Sequence, residues 1–292
     1  MLNGAFFAGH YGGRSLPEDV SVLSGHRLII PTSFDMTTPC PPGTDMDAFF
    51  SGHSEQRGPM RIRYHDAADC CLALVDISRL RELDDRTGRV IPAWLSKEEQ
   101  EYIGRFRFPK RHFEWLSGRI AAKAALLRGG NYLEGDYQPD EITILADEHG
   151  RPMLLQPQCV PMPQLSISHS GCCGVAMVSF QGCGVDIQQI ESRIANLGDH
   201  IGTEQEIQLA AEQVSGSLEE GLTLLWTVKE AVKKCCLHDR PGLFTATVVN
   251  RIFCKRPGQW IVDCRLSGKG QEVRVALLGG YMLAWCRRDD NA

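Results

Sequence analysis

A few side chains in this sequence stand where they could act on a charged substrate. Glu230 and Lys234 lie one helical turn apart within Trp226-Thr227-Val228-Lys229-Glu230-Ala231-Val232-Lys233-Lys234. Asp186 sits between Val185 and Ile187 in an apolar run, and His169 ends the alternating run Leu165-Ser166-Ile167-Ser168-His169. A carboxylate can hold Mg²⁺ and lysines can meet phosphate oxygens, so the helical stretch could serve metal-assisted phosphate chemistry. The same residues admit a second reading, a solvated helix face with i,i+4 pairs such as Glu230–Lys234 and a Trp packed at its edge. Asp186 is disfavoured in a strand and costly to bury without a cation or donors, so it reads as a turn cap or a metal ligand. His169 shares a face with Leu165 and Ile167 at the strand end, as either a satisfied structural ring or a functional one.

A second concentration of charge precedes these. Arg105, Arg107, Lys110, Arg111, Arg119 and Lys123 stand against the single acid Glu114. In a chain of net charge -5 this is a local basic patch, suited to a phosphorylated ligand or to a solvated helix face.

The elements that must position these groups are set by periodicity. Leu224, Val228, Ala231, Val232 and Cys235 make one apolar face of a helix over 222–236, with Trp226, Lys229, Glu230, Lys233 and Lys234 roughly opposite. Phe113, Leu116, Ile120, Ala124 and Leu127 make a similar stripe after Pro109, ended by Gly129-Gly130. The run from Cys70 to Ile77 reads as a buried strand, and 92–106 as one helix carrying Ser96 as N-cap and Glu99 as its capping-box partner. Strands are expected over 142–145, 165–169, 175–180 and 184–187, with Asp147 to Pro152 as a turn. A helix over 205–214 comes next, then strands over 244–249, 260–264, 272–277 and 281–286 that form an antiparallel sheet. The order strand, helices, strands occurs twice, which points to an α+β protein of two similar halves, 67–180 and 181–292, with a ligand cleft between them. Residues 1–66, punctuated by Pro31-Thr32-Ser33 and Thr37-Thr38-Pro39-Cys40-Pro41-Pro42-Gly43-Thr44, read as an irregular extension or linker with at most a short strand near Leu28-Ile29-Ile30.

Composition excludes several classes. The chain is 43% hydrophobic and 23% charged, ordinary for a soluble globular protein, and its acidic balance does not suit a nucleic-acid binder. No apolar run is long enough to span a bilayer, and the N-terminus lacks a basic region before an apolar one, so a cytoplasmic protein is expected. The twelve cysteines fall in adjacent pairs or singly and never as Cys-x-x-Cys. They are expected to be reduced and buried, neither a metal cluster nor a disulfide framework.

Four pieces in order, Trp115-Leu116-x-Gly118-Arg119-x-Ala121-x-Lys123, Ile167-Ser168-His169-Ser170, Gly184-Val185-Asp186-Ile187 and Trp226-Thr227-Val228-Lys229-Glu230-Ala231-x-x-Lys234, resemble the 4′-phosphopantetheinyl transferases of the Sfp type. The resemblance covers roughly residues 70 to 290. It implies two pseudo-symmetric α/β halves with coenzyme A between them, acting as a monomer. The implied reaction is transfer of the phosphopantetheine arm of coenzyme A to a serine of an apo acyl or peptidyl carrier protein, with release of 3′,5′-ADP. By the same resemblance Asp186 and Glu230 are Mg²⁺ ligands, Lys234 contacts phosphate, His169 bonds a phosphate oxygen and Lys229 supports the site. Glu206, in Thr203-Glu204-Gln205-Glu206, is a further acidic candidate. Arg105, Lys110, Arg111 and Arg119 occupy the region from which the family draws contacts to the adenosine 3′-phosphate.

Chemistry fits these roles: the attacking hydroxyl comes from the carrier, so no nucleophile and no covalent enzyme intermediate are expected in this chain. Its proton could pass to Glu230, to Glu206 or to a metal-bound water. One position departs from the family. Many relatives carry an acid two residues after the Asp, where this chain has Gln188; an amide oxygen can ligate Mg²⁺ but adds no charge. Gln188 supports the rival reading of a non-catalytic module that holds coenzyme A or a carrier protein, and a Mg²⁺-dependent phosphatase or pyrophosphatase is a third.

Overall fold

The run Cys70–Asp76 is apolar at every position but its last, and such a strand is stable only when both of its faces are covered. In the computed structural model, which describes residues 49, 62–67, 70–128, 132–214, 217–237 and 246–288, both are. This strand, β2, pairs with β1 (Ile62–Ala67) and lies inside an antiparallel sheet of order β1-β2-β6-β5, where β5 is Gln164–Ser170 and β6 is Cys173–Ser179. A second antiparallel sheet runs β7 (Cys183–Gln189), β11 (Tyr281–Arg287), β10 (Lys269–Leu278), β9 (Gln259–Leu266) and β8 (Thr247–Arg256). A two-stranded ribbon of β3 (Thr143–Ala146) and β4 (Pro152–Gln156) stands beside the first sheet. All described residues fall within the unit Cys40–Ala292.

Period-two alternation sorts the core into layers. Cys71, Ala73 and Val75 of β2 meet Leu116, Ile120 and Ala124 of helix α4 (Pro109–Arg128). Leu72 and Leu74 point the other way and pack with Val185 and Ile187 of β7 and Leu283 of β11. The far face of the second sheet, including Val262, Val275 and Ala284, packs on Leu224, Val228 and Val232 of helix α7 (Leu218–Cys236). Each sheet therefore carries one long helix, and the two sheets share the third cluster. Among the described residues no helix is long and apolar enough to cross a membrane.

Several expectations are corrected. The helix expected over 92–106 is two: α2 (Val90–Trp94) and α3 (Lys97–Ile103), preceded by α1 (Ile77–Thr87). Ser96 N donates to Glu99 Oε2 at 2.9 Å instead of continuing the α2 ladder, so the capping box read from the sequence is also the break between helices. Helix α1 was not expected, because Ile77 prolongs the apolar run of the strand; Asp76 caps it through Ser78 N and Arg79 N, and Gly88 ends it at φ 58. Strands β1 and β4 were likewise unassigned, and β1 draws 62–66 into the first sheet. The turn between β6 and β7 divides the sheets near residue 180, within one unit. Between β7 and α7 lie a 3₁₀ turn at Ser192–Leu197, α5 (Gly198–Ile201) and α6 (Glu204–Gln213). The expected stop at Gly129-Gly130, most of the 1–66 segment and the strand start at Phe244 lie outside the described residues.

Gly184 sets how closely β7 approaches α7. A Cβ there would overlap the Ala231 carbonyl oxygen and lie 2.7 Å from Cys235 N, both backbone atoms of a packed helix. Gly184→Ala is expected to lower stability by about 3 kcal/mol, measured as a shift in the urea unfolding midpoint with an unchanged slope.

Candidate active site

The two sheets meet edge to edge as well as face to face. Strands β5 and β7 are outer strands of their sheets, and an outer strand exposes backbone N–H groups that need acceptors once water is excluded. The serines of β5, alternating with Leu165, Ile167 and His169, supply them. Val185 N donates to Ser166 Oγ at 2.9 Å, Ile187 N to Ser168 Oγ at 3.4 Å and Gln189 N to Ser170 Oγ at 3.0 Å. The constant offset of 19 residues means that the strands run in the same direction, joined through hydroxyls.

This seam holds Asp186. Its side chain is 0% exposed, and its carboxylate accepts from Ser168 Oγ at 2.6 Å and Gln188 Nε2 at 3.1 Å. Lys234 of α7 completes the environment, with Nζ 2.7 Å from Asp186 Oδ1 and 3.2 Å from the Val185 carbonyl oxygen. A buried carboxylate without such partners would be strongly destabilising; with them, it is a fixed negative charge already compensated by a cation. Glu230, one turn before Lys234 and 2% exposed, accepts from Lys233 Nζ at 3.4 Å. The solvated-face reading of this helix is overturned, since Lys229 and Glu230 are both buried.

The donor set suits a hard cation. Asp186 and Glu230 carry carboxylate oxygens, whereas Gln188 turns its Nε2 to Asp186 and its Oε1 to Ser170 Oγ at 3.4 Å, so its amide must turn over to offer an oxygen to a metal. No group of three or more His, Cys, Asp or Glu that could hold a metal occurs among the described residues. One or two carboxylates completed by waters and phosphate oxygens is how Mg²⁺ is commonly held, so these residues fit Mg²⁺ and do not fit a self-sufficient protein cage.

His169 joins the seam to the basic helix. Its Nδ1 lies 3.8 Å from Glu114 Oε1, and Glu114 also faces Lys110 and Arg111, each at 3.9 Å. Burial, with Lys234 and Arg111 adding to it, pushes the His169 ring down to about 3, so it is neutral at physiological pH. Burial raises the Glu114 carboxyl despite the two cations. Arg105, Lys110 and Arg111 are exposed, Arg105 with its guanidinium 5.8 Å from the Tyr102 ring centre. Arg119 is spent differently: it is buried, its Nε donates to the Ile144 carbonyl at 2.8 Å and its guanidinium stacks 4.5 Å from the Trp115 ring centre.

Glu206 and Lys229 pair with each other, at 2.8 Å, on the side of α7 that meets α6 and β8. Burial raises the Glu206 carboxyl, but the Lys229 ammonium and the N–H donors of Val249 and Thr203 outweigh it and hold the group below its usual value. Ser166, Ser168, Ser170 and Glu114 carried no role in the sequence reading; the signal for the serines was their strict alternation beside an apolar strand.

The neutral His169 carries a pH signature. Its folded pKa lies below the unfolded 6.5, so the unfolded chain binds the proton first as pH falls and stability drops from about pH 6.5 toward 3. With a chelator present, the wild type is expected to lose about 1.5 kcal/mol more than His169→Gln between pH 7 and pH 5 in urea unfolding. Equal losses would show that the ring protonates freely when folded.

Residues 182–286 match the 4′-phosphopantetheinyl transferase superfamily. The holo-[acyl-carrier-protein] synthase of Geobacillus kaustophilus is 32% identical over 112 residues, covering 38% of this chain and 86% of that protein. That of Exiguobacterium sibiricum is 30% identical over 117 residues, covering 40% of this chain and 90% of that protein. A solved holo-(acyl-carrier-protein) synthase from Bacillus anthracis, in complex with CoA (3′,5′-ADP), is 24% identical with a TM-score of 0.34, over 38% of this chain and 92% of that one. The matched stretch contains Asp186, Gln188, Glu206, Glu230 and Lys234. By its likeness to the Geobacillus kaustophilus and Exiguobacterium sibiricum synthases over most of their length, the chain belongs to the 4′-phosphopantetheinyl transferase superfamily.

Proposed function

We propose that this protein transfers the 4′-phosphopantetheine arm of coenzyme A to a serine of an acyl or peptidyl carrier protein, as a holo-[acyl-carrier-protein] synthase of the Sfp type. The observation that carries this reading is the buried Asp186–Lys234 pair at the seam, inside the stretch matched to the family. The first sheet with α4, set beside the second with α7, supports two transferase halves, 67–180 and 181–292, in one chain, and hence a monomer. The extension read over 1–66 is shortened at its end, because β1 (Ile62–Ala67) belongs to the first sheet and so to the first half. A cytoplasmic location is assigned on the expectation that the cysteines are reduced.

In the proposed reaction the carrier serine Oγ attacks the phosphorus that bears the pantetheine arm. A new P–O bond forms to the serine, the bond to the bridging oxygen breaks, and 3′,5′-ADP leaves with that oxygen. Asp186, Glu230 and Gln188 would hold Mg²⁺, which when bound neutralises pyrophosphate charge and polarises the phosphorus. Glu230 takes the serine proton in this scheme, because the other acidic candidate, Glu206, is already held by Thr203 N, Val249 N and Lys229 Nζ. Lys234 meets the charge that develops on the phosphoryl oxygens and the departing group. His169, kept neutral, offers a hydrogen bond without bringing a second positive charge next to Lys234. Arg105, Lys110 and Arg111, exposed on one side of this region, are assigned to the coenzyme A 3′-phosphate and to the rim that attracts an acidic carrier. Arg119 is assigned to orienting that helix from inside.

Incubation with an apo carrier protein, coenzyme A and Mg²⁺ is expected to raise the carrier mass by roughly 340 Da, the mass of the transferred arm. Glu230→Ala should abolish the shift while leaving a folded protein. An unmodified carrier with intact coenzyme A would favour a binding module, and cleaved coenzyme A with an unmodified carrier would favour a hydrolase. Gln188→Glu adds a charged donor and is expected to lower the Mg²⁺ concentration for half-maximal transfer by about threefold or more; an unaltered Mg²⁺ dependence would remove Gln188 from the metal site.

A further inference from the structure

One buried device occurs twice in this chain. In the first half, Ser96 caps α3 and the Glu99 carboxylate accepts from Ser96 N at 2.9 Å, from Ile144 N of β3 at 3.0 Å and from Lys123 Nζ of α4. In the second, Thr203 caps α6 and the Glu206 carboxylate accepts from Thr203 N at 2.8 Å, from Val249 N of β8 at 2.8 Å and from Lys229 Nζ of α7 at 3.0 Å. Each time a glutamate at the start of a short helix ties three things together: its own N-cap, one strand N–H and one lysine from the long helix that covers a sheet. All four charged residues are at most 3% exposed.

The copies differ at the residue after the lysine. Lys123 precedes Ala124, whereas Lys229 precedes Glu230. In the second half the tie is therefore made one residue from a proposed metal ligand. The glutamate has no capacity left for chemistry. Oε2 receives Thr203 N, Thr203 Oγ1 at 3.2 Å and Lys229, and Oε1 receives Val249 N and lies 2.8 Å from Lys229. A carboxylate has about four lone-pair directions, and these contacts occupy them.

Resting on the transferase reading of this site, we propose that Glu206 and Lys229 are positioning residues that fix the rotation and height of α7, and so set Glu230 for the metal. They are neither the proton acceptor nor a coenzyme ligand. The tie works because a helix held by an internal lysine cannot turn about its axis without breaking a buried ion pair, and Glu230 turns with it.

The test uses the full chain and Mn²⁺ as the probe, its free signal read by electron paramagnetic resonance with coenzyme A present. Glu206→Gln keeps an acceptor for the strand N–H but removes the charge and any basicity. It is expected to weaken Mn²⁺ binding about tenfold and to raise the metal requirement of transfer likewise, with kcat recovered to within about threefold at saturating metal. Glu99→Gln, the same change in the other copy, should leave Mn²⁺ affinity within twofold. Lys229→Arg, which can still pair with Glu206, should keep near wild-type affinity, whereas Lys229→Met, which cannot, should weaken Mn²⁺ binding about tenfold, and this pair of variants carries the test if Glu206→Gln does not fold by circular dichroism. A collapse of kcat that saturating metal does not recover would put Glu206 in the proton path and overturn the proposal. Unchanged Mn²⁺ affinity, or equal weakening in Glu99→Gln and Glu206→Gln, would overturn it too. A wild type that modifies no carrier yet binds Mn²⁺ would sink the transferase reading, and the Mn²⁺ comparison would still decide the positioning role.

Discussion

A carboxylate with no exposed surface, placed in a strand between Val185 and Ile187, is the constraint the rest of this structure answers. Ionised and alone, Asp186 would destabilise the fold by several kcal/mol, so its neighbours must supply donors and positive charge. They come from three directions: a hydroxyl from the other sheet, an amide from its own strand and an ammonium from α7. Each supplier has a condition of its own. Ser168 can reach only because β5 lies along β7, and Lys234 only because Gly184 lets the helix backbone press against the strand. Remove the carboxylate from the sequence and the small residue, the serine and the lysine lose their common reason.

The serine seam also resolves a topological difficulty. Two sheets with outer strands side by side would either fuse by a backbone ladder or leave donors unsatisfied. Hydroxyls at every second position offer a third arrangement, wide enough to keep the sheets separate. Ser168 shows the advantage: the oxygen that accepts Ile187 N still has a proton to give to Asp186. A ladder carbonyl could accept but never donate. The same hydroxyl thus closes the fold and orients the candidate metal ligand.

How much of this was legible in the sequence depended on range. Interactions within three or four residues carry a local signal, as the box at Ser96–Glu99 shows; the box at Thr203–Glu206 has the same signal, but there Glu206 reads as an acidic site candidate and not as a cap. Alternation marks the strand at Leu165–His169, but which sheet face meets which neighbour is set by tertiary packing. Helix α1 was missed although Asp76 and Gly88 bracket it, because Ile77 extended a hydrophobic run and burial outranked the cap in the reading. The contacts that make the site span larger separations: 18 residues from Ser168 to Asp186, 48 from Asp186 to Lys234 and 23 from Glu206 to Lys229. Residue types and spacing named the charged groups there, but partner choice is a property of tertiary packing, so Glu206 and Lys229 looked like free site residues.

The polar stripe of α7 illustrates why. Clustered charges on one helix face usually mean water, and by i,i+4 spacing Glu230 and Lys234 would pair with each other. Here the partners diverge. Lys229 turns to Glu206 beside α6 and β8, Lys234 turns to Asp186 on β7, and Lys233 stays with Glu230. A helix pinned to opposite neighbours by two lysines five residues apart has little freedom to rotate, and Glu230 lies between the pins. Rigidity at that residue is what the metal role proposed for Glu230 requires, since a small turn of the axis would displace its carboxylate.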